Sequence, residues 1–262
     1  MVKHFSPLFF YLLCLVIGSS QVNAASVEDF SRHSQYHNVK ISPDGKHLAA
    51  LITNEDSKSL VFLDAKTFKI IYSLNANKDS QAEDYYWVNN ERVIIQLEQM
   101  RGALERPVST GEIYAVNYDG SKRRMLFGYR SKSGIAVSAD GGFLIDKLKG
   151  DDKHVLIHKR PLSKRTDVIS SIVKLNIYNG KEKTVRRAPM PYSQFLIDGN
   201  GQPRFAAGVD NNHNIKLFYT EGKDKPWQDF GKTVQGNFTP ISFSGDNQSI
   251  YALKGIEGEP QG

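Results

Sequence analysis

The sequence repeats one pattern, an apolar run followed by a tight polar turn and a second apolar run. Its first copy leads from residues 39–41 through Ser42-Pro43-Asp44-Gly45-Lys46 into residues 47–52. Proline presets the backbone angle that begins such a turn, and glycine takes a positive φ without steric cost. Each copy therefore predicts two antiparallel strands joined by a hairpin.

Five copies of this hairpin align on their turns, at intervals of roughly 46 to 59 residues, with turn centres at Asp44, Asn90, Asp140, Gly199 and Asp246. A second pair of apolar runs follows the earlier hairpins, for example at 60–64 and 69–74. Four strands recurring every 40 to 50 residues are typical of β-propeller blades. The sequence thus predicts an all-β fold, a propeller of four-stranded antiparallel blades whose first strands line a central channel.

The count of repeats predicts four complete blades and the first half of a fifth. We place them at about 36–76, 84–128, 134–188, 192–232 and 238–262 within a domain at 25–262. An unfinished ring leaves strand edges uncovered, so we expect the propeller to be incomplete over this stretch. The charged segment 147–165 lengthens the third interval, where we expect an enlarged loop or an extra hairpin.

Residues 1–24 have the composition of a secretory signal peptide. A cationic start at Lys3 precedes an apolar stretch at 8–17 and small residues up to Ala24, so we expect cleavage before Ala25. The apolar stretch is well short of the ~20 residues that span a bilayer, and a retained anchor is the alternative. Cys14, the one cysteine, lies in this leader. We therefore expect a periplasmic or secreted protein without disulfides and with no integral membrane segment after cleavage.

The second predicted blade carries the residues by which the chain resembles a known family. They are Trp87-Val88-Asn89-Asn90-Glu91-Arg92-Val93, Arg101-Gly102-Ala103-Leu104 and the run at 110–124. The opening stretch at 39–51, with its turn at 42–46, also looks like the first blade of that family. These runs resemble bacterial secreted serine peptidases of the prolyl oligopeptidase family, in particular its acylaminoacyl- and dipeptidyl-peptidase-like members, over about residues 26–255. The resemblance implies a seven-bladed propeller that caps an α/β-hydrolase domain with a Ser, Asp and His triad acting on peptides.

The catalytic half of that family has no counterpart in this sequence. No G-x-S-x-G nucleophile motif occurs, and the nearest serines, Ser131 and Ser133, lack the flanking glycines. We expect a chain without catalytic residues, inactive alone, that restricts substrate entry in a serine peptidase and has the hydrolase domain as its partner. The alternative is a free-standing periplasmic propeller that binds a protein or peptide without catalysis.

Arg101, Glu105 and Arg106 are the candidate residues for contact with a substrate or a neighbouring domain. They lie in an extended loop between two predicted strands of the second blade, and charged loop residues can face a ligand. The resemblance implies that this face looks towards the hydrolase. A salt-bridged loop in solvent is the simpler alternative.

The sequence predicts no metal, cofactor or nucleic-acid site. His154 and His158 flank a three-residue apolar run that predicts a strand, which would separate them by about 13 Å at ~3.3 Å per residue, too far to share one ion. The net charge of +6 is spread along the chain. We expect the short basic clusters at 122–124 and 186–187 to be solvent-exposed, and we expect Tyr85 and Trp87 to pack between blades.

Overall fold

The computed structural model describes residues 36–54, 57–75, 80–100, 107–131, 140–162, 169–210, 212, 214–232 and 237–255. The predicted signal peptide lies outside the described residues. The described residues form β-strands joined by short turns, with one 3-10 turn at Phe230–Lys232. Within this part of the chain, no helix is both long and apolar enough to cross a membrane.

The strands are grouped in chain order into sheets 1 to 5. Sheet 1 contains β1 (Tyr36–Ile41), β2 (His47–Asn54), β3 (Ser57–Asp64) and β4 (Ile70–Leu74). Sheet 2 contains β5 (Gln81–Trp87), β6 (Arg92–Gln99), β7 (Val108–Asn117) and β8 (Arg124–Phe127). Sheet 3 contains β9 (Asp140–Asp146), β10 (His154–Pro161), β11 (Ser171–Asn176) and β12 (Glu182–Arg187).

The last two sheets are shorter. Sheet 4 contains β13 (Gln194–Ile197), β14 (Pro203–Val209), β15 (Ile215–Tyr219) and β16 (Gln228–Asp229), and sheet 5 contains β17 (Asn237–Phe243) and β18 (Ile250–Gly255). In every sheet, neighbouring strands are antiparallel and follow the order of the chain. The predicted all-β architecture of four-stranded antiparallel propeller blades is confirmed.

Sheet 2 is buried on both faces because sheet 1 packs on one and sheet 3 on the other. Along β6, Val93 and Ile95 join the apolar cluster shared with sheet 1, whereas Ile94 joins the cluster shared with sheet 3. Side chains alternate across a strand, so a strand covered on both faces requires a continuous apolar run. The predicted packing of Tyr85 and Trp87 between blades is confirmed, since both are buried in the cluster between sheets 1 and 2.

In two pairs of neighbouring sheets the first strands contact each other, β1 with β5 and β13 with β17. Between β1 and β5, Lys40 Nζ donates to Asp84 Oδ1 at 2.8 Å and lies 4.4 Å from the centre of the Tyr86 ring. Polar side chains at the converging strands are in keeping with a channel on the propeller axis.

Arg92 joins sheet 2 to sheet 3 from a position with no exposed surface. Its Nε donates to the Ile177 carbonyl oxygen at 2.6 Å, and its Nη1 donates to Asn117 Oδ1 at 2.9 Å and to the Lys122 carbonyl at 3.0 Å. The guanidinium carbon also lies 4.8 Å from the centre of the Tyr178 ring. The run at 87–93, which resembles the peptidase family, thus contains the residue that hydrogen-bonds the turn of the next sheet. The sequence analysis did not predict this role for Arg92.

The third repeat differs from its prediction. Its sequence predicts a strand at 135–137, which lies outside the described residues, and a turn at 138–142. Asp140, Gly141 and Gly142 instead lie in β9, the first strand of sheet 3. A Cβ on Gly142 would stand 2.7 Å from Phe127 Cδ1 of sheet 2. The glycine pair is therefore explained by the close packing of β9 on sheet 2. In the sequence alone, a glycine pair required by close packing looks the same as one required by a turn.

The described part of the segment at 147–165, residues 147–162, contains no extra hairpin. It contains a turn and then β10, which pairs with β9 and β11 as an ordinary second strand. Its central residues, Val155 to Ile157, are buried between neighbouring sheets. The strand that the sequence predicts for this apolar run is confirmed, because the run is the buried centre of β10.

Both ends of the series of sheets carry exposed apolar side chains. On the outer face of sheet 1, Ile41, Leu48, Leu63 and Ile70 form one cross-strand row in which Ile41 and Ile70 are 57% and 58% exposed. In sheet 5, Ile241 is 52% and Tyr251 is 65% exposed. Inside the series, the corresponding faces are covered by a neighbouring sheet.

Candidate functional site

The three residues predicted to contact a substrate, Arg101, Glu105 and Arg106, lie outside the described residues. The strands that flank their loop are described, and Gln99 of β6 pairs with Val108 of β7. One residue before Gln99, Glu98 is buried and accepts a hydrogen bond from Lys58. The end of β6 therefore carries a buried charged group that the sequence analysis did not single out.

A cavity of about 230 Å³ lies between sheets 1 and 2 at this end of the sheets; we call it the Lys58 cavity. Its polar lining consists of Lys58, Asn75, Ser80, Gln81 and Arg130, and its apolar lining of Leu60, Leu74, Ala82, Ile95, Leu97, Tyr114 and Met125. The lining comes from both sheets, so the cavity exists only because sheet 1 packs on sheet 2. Concave sites with an apolar lining and a few polar groups are the usual form of ligand sites.

Two ion pairs frame the Lys58 cavity. Lys58 Nζ donates to Glu98 Oε1 at 2.7 Å, and the Lys58 backbone N–H donates to Gln81 Oε1 at 3.0 Å. Arg130 donates to the Glu112 carboxylate through Nε and Nη2, and its Nη2 lies 2.5 Å from Oε2. The same Nη2 also donates to Ser80 Oγ at 3.1 Å. In each pair the carboxylate is buried and the cation is partly exposed.

The carboxyl group of Glu112 is held in its ionised form. Burial by itself raises the pKa of a carboxyl group, but the hydrogen bonds and positive charge of Arg130 outweigh it and lower the pKa of Glu112 below its ordinary value. The buried carboxylate therefore keeps Arg130 in place at neutral pH. The cavity thus combines two partly exposed cations, Lys58 and Arg130, with an apolar lining, and this combination suits it to binding a ligand.

These four charged residues are far apart in the sequence, which is why sequence reasoning missed them. Lys58, Glu98, Glu112 and Arg130 lie on β3, on β6, on β7 and after β8. The one available signal is a charge inside an apolar strand pattern, as in Leu97-Glu98 and Glu112-Ile113. Such a signal marks a buried charge that needs a partner, but it does not identify the partner.

The two histidines of β10 have separate environments. His154 Nδ1 lies 3.0 Å from Asp151 Oδ1, and His154 Nε2 lies 3.3 Å from Asn176 Nδ2. His158 is buried, meets the Phe195 ring of sheet 4 edge-on at 5.2 Å, and lines a cavity of about 70 Å³ together with Ser170. In the part of the chain that is described, His158 Nε2 has no hydrogen-bond partner.

His158 makes stability depend on pH. Burial, assisted by the nearby charge of Arg160, lowers the pKa of His158 from 6.5 to about 4. The unfolded chain therefore binds a proton between pH 6.5 and 4 that the folded chain does not. From this group alone, we expect the free energy of unfolding to fall by about 3 kcal/mol as the pH drops from 6.5 to 4. In urea unfolding, we expect the His158→Leu variant to lose less stability between pH 7 and pH 4.5 than the unmodified protein loses.

The control for this prediction is His37→Asn in β1, where the side chain is only partly buried. This variant should keep the loss of stability in acid seen for the unmodified protein. If His158→Leu loses as much stability between pH 7 and 4.5 as the unmodified protein does, the acid sensitivity does not come from His158.

Other predicted residues have structural roles. Ser131 Oγ donates to the Gly128 carbonyl at 2.8 Å in a turn after β8, and Ser133 lies outside the described residues. Arg123, Arg124 and Arg187 are exposed as expected. The prediction was wrong for Arg186, which stacks 4.7 Å from the Trp227 ring centre and donates to the Lys223 and Lys225 carbonyls. Arg186 clamps the connection between β15 and β16.

No protein-family model matches the chain, and no curated protein matches its sequence. Among solved structures, it is similar to oligogalacturonate lyase from Vibrio parahaemolyticus, with a TM-score of 0.51 and 15% identity, over 88% of this chain and 66% of that one. It is also similar to Pyrococcus horikoshii acylaminoacyl peptidase, with a TM-score of 0.48, 14% identity, and 87% and 37% coverage. It is similar as well to the β-propeller domain of the Trilobed protease from Pyrococcus furiosus, with a TM-score of 0.44 and 13% identity, over 86% of this chain and 66% of that one.

The chain spans less than two thirds of each of these proteins. A fold shared at such low identity hosts many unrelated activities. The likeness to the oligogalacturonate lyase therefore shows a shared fold alone and nothing about what this chain binds or cleaves.

Proposed function

We propose that the chain is the propeller region of a secreted serine peptidase of the prolyl oligopeptidase type. In that protein the propeller restricts the entry of peptides to an α/β-hydrolase domain, and this chain by itself does not hydrolyse peptides. The leader at residues 1–24 takes it out of the cytoplasm. The charged loop with Arg101, Glu105 and Arg106 contacts the substrate or the hydrolase domain.

This proposal rests on where the run at 87–93, which resembles the peptidase family, lies in the fold. Trp87 packs edge-on against Phe62 of sheet 1 at 5.8 Å, while Arg92 and Asn89 reach the turn of sheet 3. The residues that resemble the peptidase family are thus those that join three successive blades. They support a shared propeller, and the link to peptide hydrolysis rests on the sequence resemblance.

The exposed apolar ends of the series of sheets support the proposal that further blades belong to the same protein. A closed propeller covers both faces of every blade with a neighbour. The row from Ile41 to Ile70 on sheet 1 and the side chains of Ile241 and Tyr251 on sheet 5 are surfaces of the kind such a neighbour covers.

The test is to examine the protein in its source cells. Antibodies raised against residues 36–255 are used to isolate the native product, which is then treated with a fluorescent fluorophosphonate that labels active serine hydrolases. We expect an immunoreactive protein heavier than 29.4 kDa that carries the label. Heat-denatured extract is the control and should remain unlabelled.

An immunoreactive protein of about the mass of this chain, with no label on it or on a co-isolated protein, would contradict the proposal. It would favour the free-standing binding propeller instead.

A further inference from the structure

We propose that the Lys58 cavity binds a small carboxylate with an apolar body, such as an arylalkanoic acid or the apolar C-terminal residue of a peptide. This inference does not depend on the peptidase assignment, because it rests on the volume and charges of one cavity. At about 230 Å³, the cavity is larger than the roughly 150 Å³ apolar cavity that holds a benzene molecule. It has room for an aromatic ring and a short chain.

The cavity arises from one small residue in a layer of large ones. Along β5, Tyr85 and Trp87 fill the space between sheets 1 and 2, and at the end of the strand Ala82 occupies the same layer. Ala82 pairs with Leu97 and lies beside a register shift at Glu83. The methyl group of alanine leaves unfilled the volume that an aromatic side chain takes elsewhere in this layer.

The charges at the mouth favour a ligand with a negative group. The side chains of Glu98 and Glu112 are 8% and 5% exposed, whereas those of Lys58 and Arg130 are 35% and 42% exposed. A ligand therefore meets the cations first, with the carboxylates behind them. Among the described residues, Lys58 Nζ donates to Glu98 alone, and an ammonium group has three N–H donors. Two donors remain for a ligand carboxylate whose apolar body lies below.

The first experiment compares 3-phenylpropionate with 3-phenylpropanol, which has the same ring and chain but no charge. Binding is followed by NMR of the protein labelled with ¹³C at the methionine methyl groups. Met125 lines the Lys58 cavity, while Met190 packs near Gly208 of sheet 4 and reports non-specific effects. We expect the acid to shift the Met125 methyl signal and leave Met190 unchanged, with a Kd at least about fivefold below that of the alcohol at low salt.

Two variants test separately how the volume of the cavity and the charge of Lys58 affect ligand binding. Ala82→Phe fills the cavity and should abolish the response of Met125 to both ligands. The double variant Lys58→Met, Glu98→Gln removes both charges of one pair, so no buried carboxylate is left unpaired. It should keep binding of the alcohol and remove the preference for the acid. If Ala82→Phe does not fold, the double variant still decides the matter.

Equal affinity of the unmodified protein for acid and alcohol would overturn the proposal, as would equal shifts at Met125 and Met190 or undiminished binding by a folded Ala82→Phe protein. The tripeptide Ala-Ala-Phe and its C-terminal amide distinguish the two sources of the carboxylate. Preference for the free tripeptide over its amide, with affinity at least equal to that of 3-phenylpropionate, assigns a peptide terminus. Weaker binding of the tripeptide assigns a small free acid.

Discussion

Replacing Arg92 by alanine is expected to lower the free energy of unfolding by about 4 kcal/mol. The substitution removes the donors to Ile177, Asn117 and Lys122, and it leaves the buried oxygens of Ile177 and Asn117 without this partner. It also opens a cavity between sheets 2 and 3. Urea unfolding followed by circular dichroism measures the effect, and the dependence on urea concentration should keep its slope.

Arg187→Ala is the matched control, because the Arg187 side chain is exposed at the end of β12. We expect this control to change stability by no more than about 0.5 kcal/mol. Arg92→Lys, which keeps the charge but not the planar fork of donors, should lose about 2 to 3 kcal/mol. A loss below about 1 kcal/mol in Arg92→Ala would show that this residue does not join the two sheets.

Replacing Gly111 by alanine is expected to cost more than about 3 kcal/mol or to prevent folding. Gly111 has a φ of +67°, and a Cβ there would stand 2.5 Å from the Cα of Gly141. Both the backbone conformation and the contact between β7 and β9 oppose a side chain. Soluble yield and urea unfolding measure the effect.

Gly150→Ala measures the backbone-conformation part of that cost without the steric part. Gly150 has a similar φ of +79°, but a Cβ there has nothing within 4 Å. An L-residue in this conformation costs about 1 to 2 kcal/mol, so Gly150→Ala should lose no more than this. If the two variants lose equal stability, close packing of sheet 2 on sheet 3 is not what requires Gly111.

The candidate site shows where sequence reasoning stops. The loop with Arg101, Glu105 and Arg106 could be chosen because charged loop residues stand out in the sequence. Lys58, Glu98 and Arg130 could not be associated, because they lie 32 or more residues apart. Only the packing of sheet 1 on sheet 2 places them around one cavity.

Local sequence patterns were enough to predict the hairpins and their period, except in the third repeat. Turns such as Ser42-Pro43-Asp44-Gly45-Lys46 and the run Val93-Ile94-Ile95 are local signals, since backbone angles and alternating burial depend on adjacent residues. The tertiary structure decided that Gly141 and Gly142 lie in a strand, that Arg92 joins two blades and that Ala82 leaves a cavity. Each of these depends on what the neighbouring sheet places against the residue, and that contact is not encoded within any short stretch of the chain.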